Sequence, residues 1–216
     1  QLGYALKLGT AQSLLFALVY GGADLLTRHH EHRICLHTGW DLELPLVPCA
    51  ALFYLSLNPL LWMAPLVLRT REELRAFVAA LAAATLAAGL GFVLLPAEEA
   101  FATATREQIG AWSDVYGAAK TIALRHNYFP SLHVAFTVIC VSSYSRYRGR
   151  RARTLLWIWG AAIVASTLLI RQHYLADVLA GAVLGAISNY WASDRLVKPP
   201  ALPPEDRTVA PSRANH

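Results

Sequence analysis

The chain has 216 residues, of which 56% are hydrophobic and only 15% charged, with a formal net charge of +5. A soluble domain carries roughly a quarter charged residues, and the apolar residues here form runs long enough to cross a bilayer. The composition therefore indicates a membrane protein, and the length suits one compact bundle. The basic residues flank apolar runs and do not alternate with exposed aromatic residues, which argues against nucleic-acid binding.

Six apolar runs predict an all-α polytopic membrane protein built as a six-transmembrane-helix bundle. The predicted spans lie near residues 9–27, 45–68, 76–95, 130–147, 154–170 and 175–193. Prolines make the second run irregular, which helices in membrane bundles tolerate. Residues 1–198 are expected to form the transmembrane domain, and the proline-rich residues 199–216 a disordered cytoplasmic tail.

The distribution of lysine and arginine predicts the orientation of this bundle. Six spans would place loops 69–75 and 146–153 on one side, and that side carries most of the basic residues. Because cytoplasmic loops are enriched in lysine and arginine, this side is expected to face the cytoplasm. The loops at 28–44, 96–129 and 171–174 then face outward from a plasma or bacterial inner membrane.

Two polar motifs begin predicted spans on the outer side. Ionisable residues at such positions suggest function, because placing them in or near lipid is costly. The first motif is Asn127-Tyr128-Phe129-Pro130-Ser131-Leu132-His133, and the second is Arg171-Gln172-His173-Tyr174-Leu175-Ala176-Asp177.

The second motif has the spacing of a nucleophile and its orienting group. His173 and Asp177 are four residues apart, so on a helix they share one face and can form a hydrogen bond. A carboxylate that accepts the proton of one ring nitrogen fixes the tautomer and leaves the other nitrogen as a nucleophile. The alternative is a buried His–Asp pair that only ties helices together.

The first motif has the form of a helix start. Pro130 and Ser131 are residue types that commonly open a helix, and free N–H groups there make a seat for phosphate. His133 would lie in the first turn, where it can protonate a departing oxygen. The alternative is a capped helix with one polar face.

Together, Pro-Ser-Leu-His and His-Tyr-Leu-Ala-Asp, about forty residues apart, resemble the type 2 phosphatidic acid phosphatase superfamily. That resemblance implies a membrane enzyme without metal or other cofactor. His173 would attack phosphorus to give a phosphohistidine, Asp177 would orient it, and His133 would act as general acid and then base. Ser131 and nearby backbone amides, including that of Leu132, would hold the phosphate oxygens.

The sequence departs from the family pattern where phosphate-binding arginines are expected. Ser166 matches the third motif, but Thr167 stands at the position of its arginine, and the first motif has no clean match. Phosphoryl oxygens need charged donors, so Lys120, Arg125 and Arg171 become the candidates, with Arg171 favoured by its place two residues before His173. The alternative for Lys120 and Arg125 is a solvated loop.

The reaction's final acceptor stays open. The sequence around both motifs is similar to that of the branch that contains inositol phosphorylceramide synthases, which transfer a headgroup between lipids. We expect a lipid phosphate phosphatase, with headgroup phosphotransferase as the alternative and a non-catalytic scaffold or transporter as the rival class. The expected partner is a membrane lipid phosphate, with no nucleic acid and no obligate protein partner.

The sequence offers one candidate metal site, in the first outer loop. His29, His30, Glu31 and His32, together with His37, could bind zinc, but they lack the i, i+4 spacing of a helical site. A solvated loop is the preferred interpretation. The three cysteines have no metal-type spacing and predict no structural disulfide.

Overall fold

The computed structural model describes residues 2–30, 32–122, 127–146 and 148–197. Within these ranges the only β contact is an isolated bridge between Ile34 and Ala97, so the all-α prediction is confirmed for them. The tail at 199–216 lies outside the described residues. The described helices are α1 (Leu2–Thr27), α2 (Gly39–Glu43), α3 (Ala51–Leu55), α4 (Leu57–Trp62), α5 (Ala64–Val67), α6 (Arg71–Leu94), α7 (Arg106–Ile109), α8 (Ser113–Ile122), α9 (Leu132–Ser145), α10 (Arg150–Leu169) and α11 (Leu175–Leu196).

Four of these helices, α1, α6, α10 and α11, are long and apolar enough to cross a membrane. They correspond to the spans predicted near 9–27, 76–95, 154–170 and 175–193. Large hydrophobic side chains such as Leu18, Leu90 and Leu179 are exposed along them, which suits contact with lipid. The structure is thus compatible with an integral membrane protein.

The other two predicted spans are shorter helical segments. Residues 130–147 give α9, and residues 45–68 give a 3₁₀ turn at Pro48–Ala50 followed by α3, α4 and α5. Proline lacks the N–H that would continue the helical hydrogen bonding, and α5 carries Pro65 in its first turn. Both segments are apolar but short, so a count of six membrane crossings stays a prediction.

Helices α6 and α9 form the centre of the bundle. Helix α6 packs against α1, α9 and α11, and α9 also packs against α10 and α11. The buried face of α6 carries an alanine at every fourth position, at Ala76, Ala80, Ala84 and Ala88. Small residues at this spacing let neighbouring helices approach closely. The compact centre holds the starts of α9 and α11 in fixed relative positions.

Candidate active site

His173 and Asp177 lie at the start of α11 and form a short hydrogen bond. His173 Nδ1 is 2.6 Å from Asp177 Oδ2, and the other carboxylate oxygen, Oδ1, accepts the backbone N–H of Tyr174 at 2.8 Å. Asp177 is fully buried, whereas the His173 side chain keeps 8% exposure. A carboxylate on Nδ1 fixes the ring tautomer and leaves Nε2 with the nucleophilic lone pair. The pair predicted from the i, i+4 spacing is therefore brought together.

His133 lies in the first turn of α9, and its ring stacks on Tyr54 of α3. The two ring centroids are 3.9 Å apart and the planes are inclined by 10°. His133 Nε2 is buried and has no hydrogen-bond partner among the described residues. Both His133 and His173 line the same cavity. A buried nitrogen without a partner is costly, so this atom is a candidate to bond a ligand in the adjoining cavity.

Two glycines on α11 allow the helices that carry these histidines to touch. A Cβ added to Gly181 would lie 2.3 Å from the backbone oxygen of Ser131, and one added to Gly185 would lie 2.5 Å from that of Ala135. Gly181 and Gly185 are four residues apart, the spacing of small residues in close-packed membrane helices. The Ser131 N–H also donates to the Asp177 carbonyl at 3.1 Å. The motifs at the starts of α9 and α11 are thus adjacent.

The N-terminus of α9 offers backbone donors to an anion. Ser131 is the N-cap, and its Oγ accepts the N–H of Val134 at 3.3 Å. The N–H groups of Leu132 and His133 have no hydrogen-bond partner among the described residues. Leu132 lines the cavity, whereas Ser131 is fully buried and does not. Ser131 therefore acts in the structure as a cap, and phosphate binding by the Leu132 amide stays a prediction.

Arg171 forms the turn that ends α10 and leads into His173. Its φ of 55° lies in the left-handed region, and Arg171 and Gln172 donate their N–H groups to Leu168 and Thr167 in the Schellman pattern. The guanidinium Nη2 donates to the Leu44 carbonyl at 3.1 Å, and the group lies over the ring of Phe101. Arg171 does not line the cavity. In the structure its side chain fixes the turn, and a role in binding phosphate stays a prediction.

Lys120 supports the same turn from α8. Its Nζ donates to the Arg171 carbonyl at 2.9 Å, and Lys120 does not line the cavity either. Burial lowers the pKa of Lys120 to about 8, although the negative charge of Glu99 opposes the shift. The third cationic candidate, Arg125, lies outside the described residues. A phosphate-binding role for Lys120 and Arg125 also stays a prediction.

Thr167 occupies the position where the family pattern has an arginine. Its side-chain hydroxyl donates to the Val164 carbonyl at 2.7 Å. Its own carbonyl accepts the N–H groups of Gln172 and His173 at 2.9 and 3.1 Å. Thr167 is fully buried. This residue therefore supports the backbone at His173 and brings no charge to the site.

Asp41 of α2 is a supporting residue that sequence reasoning missed. Its Oδ1 accepts the N–H of Leu175 at 2.8 Å, and its Oδ2 accepts the N–H and hydroxyl of Thr38. Burial acts to raise the pKa of Asp41, but the hydrogen bonds from Thr38 and Leu175 outweigh it and leave the pKa below its ordinary value. A carboxylate at a helix N-terminus is stabilising, so Asp41 anchors the start of α11. Only the fold brings it there, since it lies far from the motif in sequence.

A large, partly open cavity runs from the two histidines along α1. Its volume is about 810 Å³, and its walls come mainly from α1, α4, α6 and α9. On α1 it is lined from Leu2 to Tyr20, which corresponds to roughly 27 Å of helix at 1.5 Å per residue. Most of the lining side chains are apolar. The histidines thus open onto a long apolar space.

Neutral amides accompany the histidines at the polar end of this cavity. Asn127 and Gln172 line it, and each has a buried side-chain oxygen without a hydrogen-bond partner in the described part of the chain. The Asn127 nitrogen donates to the Tyr20 carbonyl at 2.7 Å. None of the described lysines and arginines lines the cavity. Asn127 lies in the first motif and Gln172 in the second, but sequence reasoning predicts only cations as further phosphate ligands and omits both amides.

A family model described as the PAP2 superfamily matches residues 30–191, which include both histidines, Asp177 and Asp41. Members of that superfamily are generally phosphatases or phosphotransferases. The match singles out no branch within the superfamily. No curated protein matches the sequence.

Proposed function

Because the chain belongs to the PAP2 superfamily, we propose that it is an integral membrane lipid phosphate phosphatase that works through a phosphohistidine on His173. The observation that carries the proposal is the 2.6 Å bond from His173 Nδ1 to a buried Asp177 carboxylate, with His133 on the wall of the same cavity. Nucleophile, orienting group and acid–base candidate are the three parts that phosphoryl transfer through an enzyme intermediate needs.

In the first step, His173 Nε2 attacks phosphorus. A nitrogen–phosphorus bond forms while the bond from phosphorus to the lipid oxygen breaks, and protonated His133 gives that oxygen its proton. The positive charge on the His173 ring is balanced by Asp177. In the second step, neutral His133 takes a proton from water as the water oxygen bonds phosphorus, and His173 leaves. No step is assigned to a metal ion or other cofactor.

Backbone N–H groups are the first donors that would stabilise the negative charge developing on the phosphoryl oxygens. The unpaired N–H groups of Leu132 and His133 lie at the start of α9, where the helix dipole favours an anion. Preorganised donors of this kind contribute strongly to transition-state stabilisation. Arg171, Lys120 and Arg125 complete the proposed set, and Arg171 would have to exchange its bond to the Leu44 carbonyl for one to phosphate.

The shape of the cavity supports a lipid as the substrate. A water-soluble phosphate ester needs no apolar channel, whereas this cavity follows α1 from Leu2 to Tyr20. An apolar wall lets the acyl chain of a membrane lipid stay in hydrocarbon-like surroundings while its headgroup reaches the histidines. We place the histidine end on the extracytoplasmic side because the arginine-rich segment around α10's start belongs in the cytoplasm. The enzyme is proposed to need neither nucleic acid nor an obligate protein partner.

A second candidate function is transfer of a phosphorylated headgroup to a lipid hydroxyl. The observation that favours it is the set of neutral amides at the polar end of the cavity, where no described lysine or arginine stands. A phosphodiester carries one negative charge and a phosphomonoester close to two, so the diester is the better match for a polar end lined by neutral side chains. The resemblance to the inositol phosphorylceramide synthase branch points the same way. Both reactions share the phosphohistidine step and differ in whether water or a hydroxyl resolves it.

Purified protein in detergent or vesicles should be offered a panel of phosphomonoester, diphosphate and phosphodiester lipids, each with and without a hydroxyl-bearing acceptor lipid. The phosphatase proposal expects free phosphate from a monoester or diphosphate. Headgroup-exchanged lipid without free phosphate would contradict it and favour the second candidate.

The variant His173→Ala separates either enzyme from a non-catalytic scaffold or transporter. Because the nucleophile is lost, turnover should fall to background, while His32→Ala, which removes an exposed outer-loop histidine, should leave it unchanged. Equal turnover in His173→Ala and the parent protein would overturn the proposed function.

A further inference from the structure

The outer segments near α11 bring together three side chains that the phosphoryl chemistry does not use. Residues 34 and 97 pair in a short bridge, in which Ile34 N–H donates to the Pro96 carbonyl at 2.8 Å and Glu98 N–H donates to the Ile34 carbonyl at 3.1 Å. This pairing holds Cys35 and Glu98 on two neighbouring extended segments. His37 follows two residues after Cys35, and the three side chains converge.

The distances between their donor atoms are those of metal ligands. Cys35 Sγ lies 3.3 Å from His37 Nδ1, and His37 Nδ1 lies 3.9 Å from Glu98 Oε1. All three donor atoms lie within 4.8 Å of one another. Around a tetrahedral zinc ion, ligand atoms at bond lengths of about 2.0 to 2.3 Å stand roughly 3.3 to 3.8 Å apart. Small side-chain rotations would bring these three atoms onto one ion.

The chemistry of the three donors selects the metal. A thiolate with an imidazole nitrogen favours zinc or copper, whereas magnesium and calcium prefer oxygen ligands. Cys35 is exposed and His37 and Glu98 are half-buried, which leaves room for water as a fourth ligand. We propose that Cys35, His37 and Glu98 form a zinc site on the outer rim of the bundle.

This site is distinct from the histidine-rich run at 29–32 that the sequence suggested. Among the described residues, His37 associates with Cys35 and Glu98 and not with His29, His30 or His32. Glu31 lies outside the described residues. The proposed site therefore shares only His37 with the set suggested by the sequence, and its other two ligands are Cys35 and Glu98, which follows α6.

The zinc site adjoins the start of α11 through Tyr174. The ring of His37 packs on that of Tyr174, with centroids 5.6 Å apart, and the Tyr174 hydroxyl donates to the Glu98 carbonyl at 3.5 Å and accepts the Ala100 N–H at 2.7 Å. Tyr174 is the neighbour of His173. Metal binding would clamp residues 35–37 to Glu98 and hold Tyr174 in place without entering the cavity. The role of the ion is structural.

Cobalt(II) titration of metal-stripped, full-chain protein tests the proposal, because tetrahedral cobalt bound to a thiolate absorbs in a characteristic way. The parent protein should bind one cobalt per chain with a thiolate-to-metal band, releasing the thiol proton to buffer, and zinc should displace it. Cys35→Ser should abolish the band, and His37→Gln and Glu98→Gln should each weaken binding at least tenfold. Cys49→Ser and the double variant His30→Gln/His32→Gln should bind like the parent.

Thermal unfolding gives a second measurement on the same proteins. Zinc at a hundredfold excess over its Kd should raise the midpoint of the parent by about 5 °C, and it should not raise that of Cys35→Ser. Absence of the cobalt band in the parent, its survival in Cys35→Ser, or its loss in the His30/His32 variant would overturn the proposal. Equal midpoints of metal-free parent and Cys35→Ser show that the variant is folded, since Cys35 is exposed.

Discussion

Asp177 uses both carboxylate oxygens, one on His173 Nδ1 and one on the Tyr174 N–H. The variant Asp177→Asn keeps the Oδ1 acceptor and the size of the side chain but loses the negative charge that fixes the tautomer. By analogy with the orienting aspartate of hydrolase triads, kcat should fall by about 10³- to 10⁴-fold with little change in thermal midpoint. Steady-state turnover on the best lipid substrate measures this.

The matched control for that substitution is Asp194→Asn, which changes an exposed carboxylate near the other end of α11. Its turnover should equal that of the parent protein. If Asp177→Asn retained turnover as well, His173 would not depend on the carboxylate, and the structural alternative of a helix-tying pair would be favoured.

Lys120 predicts a dependence of stability on pH. Its folded-state pKa of about 8 lies below its ordinary value of 10.5. Between these values the unfolded chain keeps a proton that the folded chain has released, so the free energy of unfolding rises as pH increases from 8 to 10.5. In Lys120→Met this contribution should vanish. Thermal midpoints at pH 7.5 and pH 10 for both proteins measure the difference.

The quantity to compare is the change in thermal midpoint between pH 7.5 and pH 10, measured for the parent and for Lys120→Met. Tyrosines also titrate in this range, but they contribute equally to both proteins and cancel in the comparison. A parent protein that gains no more stability than Lys120→Met over this window would show that Lys120 is not held in the buried position described. The comparison also reports on the turn before His173, since Lys120 Nζ bonds the Arg171 carbonyl.

At the scale of elements, the contact between α9 and α11 depends on glycine. An added Cβ at Gly181 would lie 2.3 Å from the Ser131 carbonyl oxygen, a backbone atom that a side-chain rotation cannot move away. Gly181→Ala should therefore lower the free energy of unfolding by about 1–3 kcal/mol. It should also lower turnover, because it separates the two histidine-bearing helices. Thermal unfolding and turnover on the same preparations check both effects.

Gly22→Ala is the matched control on α1, where an added Cβ meets nothing within 4 Å. Alanine is the better helix former by roughly 1 kcal/mol, so this variant should be as stable as the parent or more so. A Gly181→Ala protein that matched Gly22→Ala in midpoint and turnover would contradict the close contact between α9 and α11.

At the scale of the whole molecule, the long apolar helices and the His173–Asp177 pair could be read from the sequence, because both depend on local spacing. Hydropathy marks spans of sufficient length, and the i, i+4 rule places a helix's side chains on one face. The broken segment at 48–67 was harder, because proline and the packing of α3 on α8 and α10 together decide where its helices end.

The parts that sequence reasoning missed depend on long-range contacts. Asp41 reaches Leu175 across more than a hundred residues, and the Cys35–His37–Glu98 cluster forms only because residues 34 and 97 pair. The Arg171 side chain is also placed by such contacts, because its guanidinium donates to the Leu44 carbonyl, while its binding of phosphate stays a prediction. Spacing along the chain carries no information about such contacts.

The central claim is that His173 is the nucleophile, and trapping the intermediate tests it most directly. Protein mixed with a lipid labelled in its phosphate group should be quenched within a turnover and mapped by mass spectrometry under alkaline conditions, where phosphohistidine survives. The account predicts label on His173 in the parent, stronger label if His133→Gln slows its release, and none in His173→Gln. Label on another residue, or full turnover by His173→Gln, would contradict it.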